Sequence, residues 1–233
     1  MKNSDIHYVV AGKHAWNRRV FDEHIAPLPG QWHYIDDPQK LSHDWLSEVQ
    51  PRYVFFLHWS SIVPETIVQD FECVCFHMTD VPYGRGGSPL QNLIIRGHET
   101  TQLTALRMTE SVDAGPVYCK LELSLLGRAQ TIYERATRLS ATIVAQMVEN
   151  QPTPTAQTGD VVVFKRRKPH ESRIPEAYDL KKLHDFIRML DADGYPHAFI
   201  EHNGYRLEFT DACLSDDGLE ARVTILSKDQ ETL

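Results

Sequence analysis

The sequence predicts an α/β protein built on a doubly wound, mostly parallel sheet, with a small α+β appendage at the carboxyl end. Three observations carry this expectation. Short apolar runs alternate with amphipathic helical stretches from residue 6 to about residue 150, the order expected of βαβ units. One of those runs, residues 53–57 (YVFFL), is uninterrupted, as in strands buried on both faces. Beyond Gly194 the pattern changes to alternation in 197–201, 205–210 and 220–226, which reads as short antiparallel strands.

Taken in order, residues 6–12 (IHYVVAG) form a first strand ending at Gly12, and a helix over 16–25 closes before Pro27 and Pro29. A second strand is expected at 32–35. Residues 41–49 place Leu41, Trp45, Leu46 and Val49 on one helical stripe, and Pro51 stops that helix. After YVFFL a helix starts near Pro64. Residues 73–77 (CVCFH) then form a strand whose alternation puts Cys73, Cys75 and His77 on one face. Gly84, Gly86 and Gly87 follow in a loop where the missing Cβ permits backbone conformations closed to other residues. Ser88 and Pro89 suit the cap and first position of a helix carrying Leu90, Leu93 and Ile94. Residues 101–108 read as a half-buried strand, and Asp113-Ala114-Gly115 as a turn.

Residues 130–149 form a long amphipathic helix packed through Ile132, Ala136, Leu139, Ile143 and Met147. Residues 150–160 (NQPTPTAQTGD) are polar and Pro-rich, a linker signal. A strand at 161–164 (VVVF) and a helix at 179–190, with Leu180, Leu183, Ile187 and Leu190 in register, follow. The expected organisation is one catalytic domain over 1–150, then a linker and small carboxyl domain over 151–233.

Composition narrows the function. The chain has 233 residues and a net charge of −8. Residues 151–233 carry 11 − 15 = −4. This balance disfavours general nucleic-acid binding, and the basic run 165–169 (KRRKP) is short enough to be a solvated strand end. Four cysteines, two of them in a C-x-C, suggest no disulfide framework. No apolar run approaches a membrane span, and the amino terminus does not read as a signal peptide, so a cytoplasmic location and no membrane partner are expected. The loop after the first strand, AGKHAWN, lacks G-x-G-x-x-G, which disfavours a dinucleotide site.

The chemistry concentrates in residues 75–118. His77 ends one strand and Asp113 follows another, and open α/β sheets place their sites at such strand ends. Taken alone, each residue is as consistent with a structural strand end or turn as with catalysis. Several residues in register point further. His77, the loop residues Pro82, Arg85, Gly86 and Pro89, the segment Arg96-Gly97-His98-Glu99-Thr100, and Asp113 with Gly115 together resemble the core of the 10-formyltetrahydrofolate-dependent formyltransferases. That family includes glycinamide ribonucleotide, methionyl-tRNA and sugar N-formyltransferases. The separation 113 − 77 = 36 residues is as in the family, and the likeness extends more weakly over about residues 5–200.

The resemblance implies a Rossmann-like formyltransferase core and catalytic roles for His77 and Asp113. Cys75 stands where the family has an Asn that is thought to hold the formyl oxygen. A thiol is a weak donor, so oxyanion stabilisation would fall more heavily on His77, backbone N–H groups or water. Asn92 is the nearest amide in sequence, and the helix that follows the loop is expected to carry it away. The resemblance further implies that 10-formyltetrahydrofolate is bound by Trp59 with Thr109, Glu110, Ser111 and Val112, and that Arg85, Gly86 and Gly87 face the acceptor. No metal is expected. The acidic, shortened carboxyl part favours a nucleotide-linked amino sugar over tRNA as acceptor, and the homodimers common among sugar enzymes are compatible with the carboxyl strands. Other readings stay open: a methionyl-tRNA formyltransferase-like enzyme with another amine acceptor, a folate- or nucleotide-binding module impaired in catalysis, and a metalloenzyme using Cys73, Cys75 and His77.

Overall fold

The YVFFL run becomes β3 (Tyr53–Phe56), every residue of which is buried. Burying such side chains contributes about 1.5–3 kcal/mol each, so this strand belongs at the centre of a sheet. The computed structural model, which describes residues 5–227, places it there. Five more strands join it: β1 (His7–Ala11), β2 (Gln31–Ile35), β4 (Cys73–His77), β6 (Thr100–Arg107) and β7 (Val117–Ser124), in the order β2-β1-β3-β4-β6-β7. The pairs β1–β2, β1–β3 and β3–β4 are parallel, and β4–β6 is antiparallel. The remaining strand of this region, β5 (Tyr83–Gly86), pairs with β8 (Val162–Phe164) in a separate two-stranded sheet.

The parallel connections run through α1 (Ala15–Val20), α2 (His43–Val49) and α3 (Glu65–Asp70). The expected first helix is α1 followed by a π-helical turn over Phe21–Ile25. Ser42 caps α2 by accepting from Trp45 N–H at 3.2 Å, and Gln50 closes it in the left-handed region, φ 50°. One sheet face packs Val9, Ala11, Val54, Phe56 and Cys73 against Leu46 and Ile67, with Trp59, Cys75 and Met108 at its margin. Fully buried Asn17 donates to the Leu57 carbonyl at 2.8 Å and accepts from Thr137 at 3.2 Å. It thereby ties the start of α1 to the end of β3 and to the helix α5 (Ala129–Asn150).

Contacts group the chain into two compact units. The first runs to Gly86 and takes in Thr101–Leu123 and Glu134–Val163; it holds the six-stranded sheet. The second comprises Gly87–Thr100, Ser124–Tyr133 and the chain from Phe164. It contains α4 (Pro89–Ile95), α6 (Leu180–Arg188) and the antiparallel sheet β9 (Ala198–His202), β10 (Tyr205–Ser215), β11 (Gly218–Ser227), ordered β11-β10-β9. Asp179 caps α6 by accepting from Lys182 N–H at 2.8 Å, and α6 packs on β10. No helix among the described residues is long and apolar enough to cross a membrane.

Candidate active site

His77 is the last residue of β4, and the parallel register Phe56↔Cys75 brings the end of this strand beside the end of β3. The imidazole is buried, 8% exposed, and both its nitrogens have partners. Nε2 lies 2.8 Å from the Gly84 carbonyl. Because a carbonyl can only accept, this nitrogen carries the proton. Nδ1 lies 3.5 Å from Asp113 Oδ2, so the carboxylate faces the other edge of the ring. The same Oδ2 accepts from Gly86 N–H at 2.9 Å. One carboxylate oxygen is thus held between a backbone donor and the histidine.

Asp113 reaches this point by an unexpected route. Because β6 runs antiparallel to β4, with Val74↔Arg107 and His77↔Thr104 in register, β6 ends at the amino edge of β4, away from His77. The loop over 108–116 carries Asp113 back to His77. Asp113 itself sits at φ 53°, a conformation Asp tolerates better than most residues. The turn is wedged against its own strand: a Cβ on Gly115 would stand 1.8 Å from the Arg107 carbonyl oxygen, and Arg107 N–H donates to Pro116 O at 2.9 Å. Gly115 is therefore required by close approach.

The glycines of the other loop serve separate ends. Gly84 and Gly86 have φ of 79° and 98°, the left-handed region that favours glycine. They present the Gly84 carbonyl and the Gly86 N–H to the pair. Gly87 instead leaves room for the backbone and Cβ of Arg166, which a Cβ would meet at 2.5–2.6 Å. Ser88 precedes α4, but its hydroxyl accepts from Arg167 N–H at 3.0 Å and does not cap the helix. The Asn92 amide donates to the carbonyls of Gly87, Ser88 and Lys165, so it is not available to replace the family Asn.

Cys75 shares the face of His77. Burial, with the Asp113 carboxylate adding to it, pushes its thiol well above the ordinary range. It remains a neutral, weak donor and is unsuited to act as a thiolate nucleophile. Cys73 is buried, donates weakly to the Ile67 carbonyl at 3.6 Å, and is pushed up to about 12 by burial. Among the described residues no group of three His, Cys, Asp or Glu could hold a metal ion.

Trp59 lies just beyond β3, edge-on to Phe56 at 6.0 Å, with Lys13 Nζ 5.3 Å from its ring centre. Its Nε1 is buried without a hydrogen-bond partner among the described residues, a donor suited to a ligand acceptor. The neighbouring His58 is in the left-handed region, φ 47°. Its imidazole is pushed down to about 3 by burial and by His14, so it is neutral. In the loop before Asp113, Thr109 donates to Ser111 O at 3.1 Å and Glu110 accepts from Gln69 at 3.1 Å. Val112 is 73% exposed.

The structure thus brings together His77, Asp113, Cys75 and Gly86. It joins Arg85 to them through a residue that sequence reasoning missed: Gln157, whose amide bonds Arg85 and the carbonyls of Asp113 and Gly115. A glutamine in a polar linker, 44 residues from the turn it contacts, carries no local signal. Trp59 contacts Phe56 and Lys13, Val112 adjoins Asp113 in the chain with its side chain exposed, and Gly87 serves the approach of Arg166.

Known proteins are similar to this chain in sequence and fold. Residues 169–226 match the family model of the methionyl-tRNA formyltransferase C-terminal domain. A methionyl-tRNA formyltransferase from Clostridium thermocellum superposes with a TM-score of 0.91 at 37% identity, covering 95% of this chain and 99% of that one. The methionyl-tRNA formyltransferase of Thermodesulfovibrio yellowstonii is 23% identical over 163 residues, 65% of this chain, and this chain spans 53% of that relative's length. A 4-N formyltransferase from Francisella tularensis shares the fold, with a TM-score of 0.69 at 14% identity and coverage of 97% and 98%. The chain belongs to the formyltransferase family of folate-dependent one-carbon transferases.

Proposed function

We propose that the protein moves a formyl group from 10-formyltetrahydrofolate to a primary amine, in the manner of the methionyl-tRNA formyltransferases it is similar to. The observation that carries this reading is the His77–Asp113 pair at 3.5 Å, with Asp113 held on the Gly86 N–H. In the reaction the amine nitrogen bonds the formyl carbon, the bond from that carbon to the folate nitrogen breaks, and one proton passes from amine to folate. His77 supplies the mobile proton. Its Nε2–H, resting on the Gly84 carbonyl in the free protein, turns to the developing oxyanion or the leaving nitrogen. Asp113 stabilises the charged imidazole and takes the amine proton through water. With neutral Cys75 at the family Asn position, His77 carries most of the oxyanion stabilisation.

The folate heterocycle is assigned to the unpartnered Trp59 Nε1 and to the loop of Thr109, Glu110, Ser111 and exposed Val112, which offer a buried donor and apolar surface. Arg85, Gly86 and Gly87 are assigned to the acceptor side. Four free cysteines fit a reducing, cytoplasmic setting.

The 37% identity to the C. thermocellum enzyme favours a methionyl-tRNA-type acceptor, and the KRRK run has exposed cations at Lys165, Arg166 and Lys168. A second reading, a nucleotide-linked amino sugar, is favoured by the net charge of −8, which opposes a polyphosphate partner. Tetrahydrofolate release measured with methionyl-tRNA and with UDP-, dTDP- and GDP-linked amino sugars separates the two. Turnover with methionyl-tRNA supports the first reading, turnover restricted to one amino sugar supports the second, and no turnover with any amine contradicts formyl transfer.

A further inference from the structure

Residues 150–160 have the composition of a linker, yet part of this segment is built into the site. Thr155 exchanges both backbone hydrogen bonds with Val117, at 2.7 and 2.8 Å. Val162 N–H donates to Pro82 O at 3.2 Å. Between these anchors half-buried Gln157 reaches both loops that frame His77. Its Oε1 accepts from Arg85 Nε at 3.1 Å and Nη2 at 2.8 Å. Its Nε2 donates to the carbonyls of Asp113 at 2.9 Å and Gly115 at 2.8 Å.

A side-chain amide has two donor hydrogens and two acceptor lone pairs, and all four are used here. The orientation of the amide follows from chemistry: a guanidinium can only donate and a carbonyl can only accept. Glutamate has the same shape but would turn an oxygen toward two carbonyls. No other standard side chain of this length supplies the pattern.

We propose that Gln157 is a positioning residue for the His77–Asp113 pair. By bracing the backbone on both sides of Ala114 against Arg85, it fixes the turn that aims Asp113 at the Gly86 N–H and at His77. The Gly86 contact belongs to the β5 loop that Arg85 also occupies, so Gln157 sets the spacing between the two loops. Its consequence for turnover rests on the formyl-transfer reading above; its consequence for geometry does not.

The test reads both. In isotope-labelled protein the Gly86 amide proton, bonded to a carboxylate, reports the position of Asp113. It is compared in wild type, Gln157→Ala, Gln157→Glu, Asp113→Asn and the control Thr158→Ala. The expected result is that both Gln157 variants move the Gly86 resonance in the direction of Asp113→Asn, while the amides of β1 and β3 and the Thr158→Ala spectrum stay unchanged. Turnover in the Gln157 variants falls about tenfold or more, with KM for 10-formyltetrahydrofolate within about twofold, as expected of lost positioning with substrate binding retained. An unmoved Gly86 resonance overturns the brace. A moved resonance with unchanged kcat overturns its part in catalysis. If wild type turns over no amine, the formyl-transfer reading fails, and the Gly86 resonance alone decides the brace.

Discussion

A single methyl group at Gly115 tests how closely the Asp113 turn is fitted. The Cβ of Gly115→Ala would stand 1.8 Å from the Arg107 carbonyl oxygen and 3.0 Å from its carbon. Ordinary contact begins near 3.4 Å, so the two strands of backbone must part by 3.4 − 1.8 = 1.6 Å. The atom met is main chain, and Arg107 is pinned by its own N–H to Pro116 O at 2.9 Å, so it cannot swing aside as a side chain would. Overpacking of this kind costs about 1–3 kcal/mol, and the disturbed hydrogen bond costs about 1 kcal/mol more. Together these lower the melting temperature by about 5–15 °C in a chain of this size. The turn also carries Asp113, two residues away, and displacement of a catalytic group by the order of 1 Å costs on the order of a hundredfold in rate. Thermal melting and tetrahydrofolate release, measured on the same preparation, read the two effects. A variant with wild-type melting temperature and turnover would refute the reasoning.

His58 gives a pH prediction. Burial and His14 lower its imidazole from 6.5 to about 3, so between these values the unfolded chain binds the extra proton. Its contribution is fully present above about pH 6.5 and is lost as pH falls toward 3, at up to about 1.4 kcal/mol per pH unit. His58→Asn, which tolerates the backbone φ of 47°, should flatten that slope in denaturant titrations between about pH 4 and pH 7; an unchanged slope counts against the assignment. Cys75→Asn places an amide donor where the family has one and should raise turnover on the order of tenfold. Stability should fall, because Cys75 packs against an apolar cluster; unchanged turnover would place the oxyanion away from this side chain.

Much of the sheet is legible because its signal is local. β3 is a continuous apolar run and β4 an alternating one, each bounded by turn signals that announce a strand, and the long α5 repeats its apolar face along Ala129–Asn150. β7 (Val117–Ser124) escapes, although it alternates, because it follows the Asp113 turn without a break in composition. The pairing of β5 with β8 joins four residues to three, with Val162 N–H bonded to Pro82 O across 162 − 82 = 80 positions, where no periodicity can speak. In the site, His77 and Asp113 are legible through the motif that surrounds them. The direction of β6 is not, since strand polarity depends on partners that alternation does not specify. Gln157 lies furthest from reach: its role depends on three carbonyl and guanidinium groups brought to it by folding, in a segment whose prolines and threonines spell a linker.

The central claim is that His77 and Asp113 act together in formyl transfer. Release of tetrahydrofolate from 10-formyltetrahydrofolate in the presence of methionyl-tRNA and amino-sugar acceptors, measured for wild type, His77→Ala and Asp113→Asn with folded variants verified by melting, tests it most directly. Expected are turnover with an amine acceptor in wild type and a loss of at least about a hundredfold, an order-of-magnitude expectation for a general acid and its carboxylate partner, in both variants. Turnover that persists undiminished in either folded variant would contradict it.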